Sequence, residues 1–184
     1  MEKIEVEIHG ITPYLSHRFG IEEDGKKTKK KETDKSMEQM AKEALYKLPD
    51  GTIYVPSTHV HGSMIEAGKK FQIPGQGKAT YSKLIGGLAM ITPHALVIDP
   101  QKYEIDSRSV VIPSTRGRVV RHRPMFDKWK LKFTIENLEP NQIPNVALQE
   151  ILEYAGKYVG IGDFRPGKKG PFGRFSIASF TPVK

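Results

Sequence analysis

The sequence predicts an α+β fold whose core follows the ferredoxin-like order β-α-β-β-α-β. Three stretches alternate apolar and polar residues, which is typical of half-buried strands, and the two stretches assigned to core helices carry apolar residues at helical spacing. In that fold, two helices cover one face of a single antiparallel sheet. The predicted core elements are a strand at 4–8, a helix at 57–71, a strand pair within 95–112, a strand at 129–136, a helix at 145–157 and a strand at 174–181.

The first and third core strands are predicted to be neighbours, as the ferredoxin-like order requires. The first strand alternates isoleucine and valine with glutamate, and the third alternates large apolar residues with lysine and threonine. Glu5 and Glu7 would then lie near Lys130 and Lys132. Such cross-strand pairs of opposite charge stabilise a sheet modestly.

Residues 16–36 interrupt the core with a polar, lysine-rich insertion. We expect an inserted basic loop that is exposed, because it lacks the apolar residues needed to bury it. It is either a solvated charge run or a basic flap that becomes ordered on a polyanion. Helical spacing follows at 37–48, with Asp34 or Ser36 as the expected N-cap.

The first core helix opens with two hydroxyl side chains, Ser57 and Thr58, followed by His59 and His61. Ser57 or Thr58 is the expected N-cap, and capping is the favoured explanation for both hydroxyls. A phosphate site at the helix start is the alternative. His59 and His61 do not face each other at this spacing on a helix, so the signal for a metal site is poor.

The charge distribution indicates an anionic partner. The net charge is +8, and five of the eight arginines lie between Arg108 and Arg123. These five belong to a predicted β-hairpin at 105–124 that projects from the core as a basic ribbon, with its turn at 113–117. Clustered arginines repel one another unless an anion is bound, and nucleic acid is the commonest such partner.

Residues 160–175 form a second basic segment, which we name the glycine loop. It contains five glycines, two prolines and four cationic residues between the last helix and the last strand. Glycine-rich turns can direct successive backbone N–H groups at an anion. The alternative is a flexible surface connector. Its position in the ferredoxin-like order favours one wall of a nucleic-acid groove, with the hairpin as the other wall.

Three features together resemble the RAMP superfamily, the RNA-binding proteins of CRISPR systems. They are the β-α-β-β-α-β order, the strand–Pro–Ser–helix junction at Val55-Pro56-Ser57, and the glycine loop ending in Gly170-Pro171-Phe172-Gly173-Arg174-Phe175. The resemblance implies one RAMP-like domain over residues 1–184, in which the basic hairpin is the "thumb" of guide-RNA filament subunits. A viral or plasmid relative that keeps the fold and coats nucleic acid is a close alternative.

The resemblance also implies the function. We expect sequence-tolerant binding of single-stranded nucleic acid, with RNA favoured over DNA, and self-association or assembly with other subunits of a ribonucleoprotein complex. An irregular hairpin arm could direct all four of its later arginines outward. The expected nucleic-acid contacts are Arg18, Lys69, Lys70, Arg108, Arg116, Arg118, Arg121, Arg123, Arg165, Lys168, Lys169 and Arg174.

Three other functions stay open at this point. Some RAMP relatives are endoribonucleases, and His17 and Asp24 are the candidate catalytic residues if this chain is one. A basic structural or assembly protein of a virus is a further alternative. A plain RNA-recognition motif shares the core order but is disfavoured, because Trp129 and Phe133 have the inward parity and cannot stack bases on the outer face.

Several signatures are missing from the sequence. It contains no phosphate-binding P-loop, dinucleotide fingerprint or nucleophile elbow, and it contains no cysteine. We therefore expect no cofactor and no metal. No apolar run approaches the length of a membrane span, and the first residues do not read as a targeting segment, so we expect a cytoplasmic protein without a membrane partner.

Overall fold

The computed structural model describes residues 1–18, 35–111 and 116–183. The strands are Glu2–Gly10 (β1), Tyr14–Leu15 (β2), Tyr54–Pro56 (β3), Ala89–Thr92 (β4), Ala95–Val97 (β5), Glu104–Val111 (β6), Arg118–Phe126 (β7), Lys130–Asn137 (β8) and Phe175–Val183 (β9). The α-helices are Met37–Glu43 (α1), Ser57–Gly68 (α2), Ser82–Leu88 (α3) and Asn145–Tyr154 (α4). A π-helical turn at Ala155–Val159 extends α4.

The four-stranded sheet has the order β4-β8-β1-β9, and its neighbouring strands are antiparallel. Counting only these strands with α2 and α4, the chain runs β-α-β-β-α-β, which confirms the ferredoxin-like core. β8 pairs with β1 over its full length, from Asn137 opposite Glu2 to Lys130 opposite His9. This register places the apolar residues of both strands on the same face of the sheet.

The hydrophobic core lies between that face and the two helices α2 and α4. The alternation seen in the sequence is confirmed, because every second residue is buried from Ile4 to Ile8 in β1 and from Leu131 to Asn137 in β8. Burial of these side chains is the main favourable contribution to folding. The core residues from these four elements are Ile4, Val6, Ile8, Val60, Met64, Ala67, Leu131, Phe133, Ile135, Leu148, Ile151 and Leu152.

Two smaller sheets extend the core. One has the order β2-β7-β6, in which β6 and β7 form the predicted basic hairpin. The other pairs β3 with β5, antiparallel. The prediction that the segment around Ala95 is a strand is confirmed, but the prediction that this strand belongs to the core sheet is wrong. The core strand is β4, which follows α3 directly and pairs with β8.

The caps or ends of two helices differ from the predictions, and α2 ends at Gly68 rather than at residue 71. α2 begins at Ser57 with Pro56 as its N-cap and no capping side-chain bond, so neither Ser57 nor Thr58 is the N-cap. α1 ends at Glu43 rather than at residue 48, while Ser36 caps it as predicted, because its hydroxyl accepts the Gln39 N–H at 3.2 Å. Asp34, the alternative N-cap, and most of the insertion at 16–36 lie outside the described residues.

The predicted charge pairs between β1 and β8 form in part. Lys132 Nζ lies 3.2 Å from Glu7 Oε2, as expected. Lys130 instead contacts Asp99 at 2.9 Å, because its partner in the register is His9. A hydrogen bond from His9 and the ion pair with Lys132 lower the pKa of Glu7. Within the described ranges, no helix is long and apolar enough to cross a bilayer.

Gly156 lies inside the π-helical turn and does not terminate the helix, which ends at Val159 with Gly160 as its C-cap at φ of 70°. A Cβ at Gly156 would collide with the carbonyl oxygen of Phe175. This position is therefore glycine because β9 passes close to the helix.

Gly156→Ala tests this packing. Helix propensity alone favours alanine by up to about 1 kcal/mol, whereas the collision with β9 predicts a net loss of about 1–3 kcal/mol in the free energy of unfolding. Chemical denaturation measures the difference. Gly62→Ala in α2 is the matched control, since a Cβ there has no heavy atom within 4 Å, and it should lose no stability. Equal stability of the two variants would contradict the close contact.

Candidate nucleic-acid interface

The glycine loop is a folded element held by its own backbone. The Ile161 N–H donates to the Gly173 carbonyl at 3.0 Å and joins the two arms of the loop. Two further bonds tie the loop to the chain around β2. The Gly173 N–H donates to the Pro13 carbonyl at 2.8 Å, and the Asp163 N–H donates to the Leu15 carbonyl at 3.0 Å. The backbone of the loop is therefore fixed against the core.

The geometry of the loop requires glycine, as two of its positions illustrate. Gly162 has φ of 80°, and a Cβ there would lie 2.5 Å from Cε2 of the buried Tyr14 ring. Gly173 has φ of 70°, and a Cβ there would collide with the Ile161 carbonyl oxygen. Positive φ and close backbone approach both exclude larger residues. At these two positions the glycines hold a specific loop shape.

The cations of the glycine loop divide into an exposed pair and a tethered pair. Lys168 and Lys169 are exposed at the tip, where Pro166–Lys168 forms a short 3₁₀ turn. Arg165 is half-buried, and its Nη1 donates to the Gly162 carbonyl at 3.0 Å. Arg174 donates from Nη1 to the Lys157 carbonyl. The lysines are therefore the cations of the loop most open to a polyanion.

The hairpin arginines do not all point outward. Arg116 and Arg118 are exposed, and Arg121 is half-buried with its Nη1 3.5 Å from His17 Nε2. Arg123 is only 3% exposed and forms an ion pair with Asp163. The expectation that all four are directed outward is therefore wrong for Arg123, because the loop supplies an acidic partner that draws it into the interior.

Two contacts join the hairpin to the glycine loop. One is the ion pair between Arg123 and Asp163. In the other, the Arg108 guanidinium lies 4.7 Å from the centroid of the Phe172 ring, a cation–π contact, while its Nε donates to Asp106 at 2.8 Å. We name these two contacts the latch. It places two basic segments that are distant in the sequence against each other.

The latch changes the predicted groove, because loop and hairpin touch where the groove between them was expected. Each lines a cleft with another element. The hairpin and α1 line a cleft of about 280 Å³ that includes His17, Arg18 and Arg121. The glycine loop and α2 line one of about 320 Å³ that includes His59 and Arg165.

His59 stands at the boundary between the second cleft and the core. Its ring meets the Tyr46 ring edge-on, with the centroids 5.6 Å apart. Burial, with a smaller contribution from the nearby Arg165 guanidinium, lowers the pKa of His59 from 6.5 to about 4. At neutral pH the imidazole is therefore uncharged. His61 points elsewhere, with Nε2 3.1 Å from the Ile85 carbonyl oxygen, as the spacing of the two histidines implied.

The remaining predicted site residues belong to neither the glycine loop nor the hairpin. Lys69 and Lys70 are exposed at the end of α2, and Lys69 is paired with Glu66 at 2.5 Å. Asp24 lies outside the described residues. Among residues 1–18, 35–111 and 116–183, no group of three or more His, Asp or Glu side chains is placed to hold a metal ion.

The sequence analysis did not identify Asp163, Phe172 and Ser63 as residues of the candidate site. Asp163 is the one acidic residue between Gly160 and Phe175, and an isolated acid in a basic loop is a signal for an internal ion pair. Phe172 belongs to the glycine-loop motif, but the sequence does not indicate that its ring contacts the distant Arg108. Ser63 carries no sequence signal, because its importance comes from burial beside a cleft.

Asp163→Asn tests the ion pair of the latch. The change leaves the Arg123 guanidinium buried without a counter-charge, so the free energy of unfolding should fall by about 3 kcal/mol. Asp106→Asn is the matched control. Its partner Arg108 is 44% exposed, so water can solvate the freed charge and the loss should stay below about 1 kcal/mol. Urea denaturation compares the two variants. An equal loss of unfolding free energy in both would show that the Arg123 guanidinium is not buried away from water.

His59 makes stability dependent on pH. Because the folded pKa of about 4 lies below the ordinary 6.5, the unfolded chain binds more protons between these values, and stability falls as the pH drops from 6.5 towards 4. Between pH 7 and pH 5, wild type should lose on the order of 1–2 kcal/mol more than His59→Gln. Urea denaturation at both pH values measures this difference. The same loss in wild type and variant would contradict the burial of the imidazole.

A scan against protein-family models and a search of the curated proteins found no match. A search of solved structures did find similar chains. One belongs to a cryo-EM structure of the Type III-B Cmr-beta bound to cognate target RNA, with a TM-score of 0.51 and 11% sequence identity. The match covers 100% of this chain and 61% of that one. At this identity the similarity shows the fold alone.

Proposed function

We propose that this protein binds single-stranded nucleic acid as a RAMP-superfamily subunit of a ribonucleoprotein complex, with RNA favoured over DNA. The observation that carries the proposal is the latch, because it joins the glycine loop and the arginine hairpin into one basic surface. The fold supports it as well, since a similar chain occurs in a Type III-B Cmr-beta structure bound to target RNA.

The proposed binding surface consists of the exposed cations of these two segments. Lys168 and Lys169 stand at the tip of the glycine loop, and Arg116 and Arg118 stand near the end of the hairpin. Exposed lysine and arginine side chains contact phosphates, which carry no sequence information. The proposed binding is therefore tolerant of sequence and steeply dependent on salt.

Arg108, Arg121 and Arg165 have a second role in this proposal. Each already contacts a group of the protein, namely Phe172, His17 and the Gly162 carbonyl respectively. They keep N–H groups for a phosphate while holding the surface in shape. Arg123 is left out of the proposed contacts, because its charge is neutralised in the interior.

The proposed assembly is one RAMP-like domain over residues 1–184, with the insertion at 16–36 and the hairpin as additions to the core. The hairpin corresponds to the thumb of guide-RNA filament subunits, and its partners are copies of the same chain or other subunits. A nuclease is the second candidate, since His17 lines a cleft beside Arg18 and Arg121. A general base beside a guanidinium is an arrangement suited to RNA cleavage.

Charge reversal at the loop tip tests strand binding. Lys168→Glu with Lys169→Glu should weaken binding of a labelled single-stranded RNA by at least tenfold, measured by fluorescence anisotropy across a salt series. The slope of log affinity against log salt should also become shallower, by roughly 0.7 for each phosphate that the variant no longer neutralises.

The matched control is Lys78→Glu with Lys83→Glu, which changes the net charge equally at two exposed lysines outside the loop and the hairpin. It should keep most of the affinity. Equal weakening by both double variants would show that net charge alone binds RNA, and no binding at low salt would overturn the proposal. Gel analysis of the same samples separates binding from cleavage, which His17→Ala should abolish if the protein is a nuclease.

A further inference from the structure

The segment between β1 and β2 is hydrogen-bonded to the second arm of the glycine loop at Arg174. The Arg174 carbonyl accepts the Ile11 N–H at 2.8 Å and the Thr12 N–H at 3.3 Å. In return, the Thr12 hydroxyl accepts the Arg174 N–H at 3.0 Å. Both polar backbone groups of Arg174 are therefore bonded to Thr12, which lies 162 positions earlier in the chain. We name this reciprocal contact the clip.

Thr12 is itself held by the core. Its carbonyl accepts the indole N–H of Trp129 at 2.9 Å, and Trp129 is only 3% exposed. A Cβ at Gly10 would collide with the indole ring, so the chain reaches Thr12 in close contact with that ring. The clip therefore connects a fixed, buried side chain of the core to the glycine loop.

The side chain of Arg174 forms a further connection. Its Nη1 donates to the Lys157 carbonyl in the π-helical turn that extends α4. The charge of Arg174 predicts a phosphate contact, but its hydrogen bonds are those of a residue that joins segments of the protein. It bonds with its backbone to the segment between β1 and β2, and with its guanidinium to the end of the last helix.

The second arm of the glycine loop runs from the latch to the clip. Phe172, whose ring contacts the Arg108 guanidinium, is two residues from Arg174. Gly173 between them donates its N–H to the Pro13 carbonyl at 2.8 Å. The arm therefore lies along the segment between β1 and β2, and a shift of Arg174 moves the Phe172 ring relative to the hairpin.

We propose that Thr12 is a positioning residue of the nucleic-acid surface, a role that rests on the proposed function. Its hydroxyl fixes Arg174, and the arm from Arg174 to Phe172 fixes the loop against the hairpin. The lysines at the loop tip are thereby held in place relative to the exposed arginines of the hairpin. Thr12 contacts no phosphate in this proposal, so its loss misplaces cations without removing any.

A role of Thr12 in stability alone predicts a different result. The folded protein would then bind RNA with wild-type affinity, and only its free energy of unfolding would fall. A direct contact between Thr12 and the strand predicts a third result, because each lost phosphate contact makes the salt dependence of binding shallower. Affinity and salt slope together separate these three roles.

Three substitutions at Thr12 and one control isolate the hydroxyl. Thr12→Val keeps nearly the same shape and removes the acceptor, and Thr12→Ala removes it without adding a methyl group in its place. Thr12→Ser retains the hydroxyl. Thr181→Val is the matched control, because it makes the same replacement at an exposed position of β9. Trp129 is the one tryptophan of the chain, so its fluorescence shows whether the local packing is kept.

Fluorescence anisotropy with a labelled single-stranded RNA across a salt series provides the first measurement. Thr12→Val and Thr12→Ala should raise the Kd by roughly threefold to tenfold, as expected for the loss of one hydrogen bond. The slope of log affinity against log salt should stay that of wild type, whereas the double variant of Lys168 and Lys169 makes it shallower. Thr12→Ser and Thr181→Val should both bind as wild type does.

Hydrogen exchange without RNA provides the second measurement. In Thr12→Val, the backbone amides of residues 172–174 should exchange at least about tenfold faster, while those of β1 and β8 keep their wild-type rates. This measurement tests the clip even if the wild type binds no RNA, a result that would refute the proposed function. Unchanged exchange, wild-type affinity in Thr12→Val, a shallower salt slope, or failure of Thr12→Ser to restore binding would each overturn the role proposed for Thr12.

Discussion

The ion pair between Arg123 and Asp163 is the interaction on which the proposed binding surface depends. The ferredoxin-like core fixes where the glycine loop begins and ends, but it does not determine how the loop meets the hairpin. A guanidinium that is 3% exposed is costly to bury without a counter-charge, and Asp163 provides one. The position of the loop relative to the hairpin follows from this requirement.

The same contact resolves part of the repulsion that the arginine cluster creates. Two of the five clustered arginines are paired internally, Arg108 with Asp106 and Arg123 with Asp163. The others keep their charge available to an anion. Arg108 and Arg123 face the loop, and Arg121 is half-buried beside His17. Only the remaining two of the five are open to solvent, so a count of arginines overstates the number that a strand can contact.

Much of the fold could be predicted from the sequence, because strands buried on one face show strict alternation. That pattern located β1, β8 and β9. It missed β4 because Ala89–Thr92 follows α3 without turn residues and is too short to show a period. The burial of Arg123 and the cleft at Ser63 could not be predicted, since both depend on contacts between distant segments. The charge pattern of the sequence therefore led to the candidate site, and the packing in the structure showed that Arg123 is buried rather than exposed.

The anchoring of the glycine loop also determines what binding costs in entropy. Pro13 and Leu15 accept backbone bonds from the loop, and β2 pairs with β7 of the hairpin at the same place. The backbone that carries Lys168 and Lys169 is therefore ordered before any ligand arrives. A preorganised surface loses less conformational freedom on association than a disordered basic tail of equal charge. In the proposed binding, each phosphate contact made there would keep more of its electrostatic free energy as affinity.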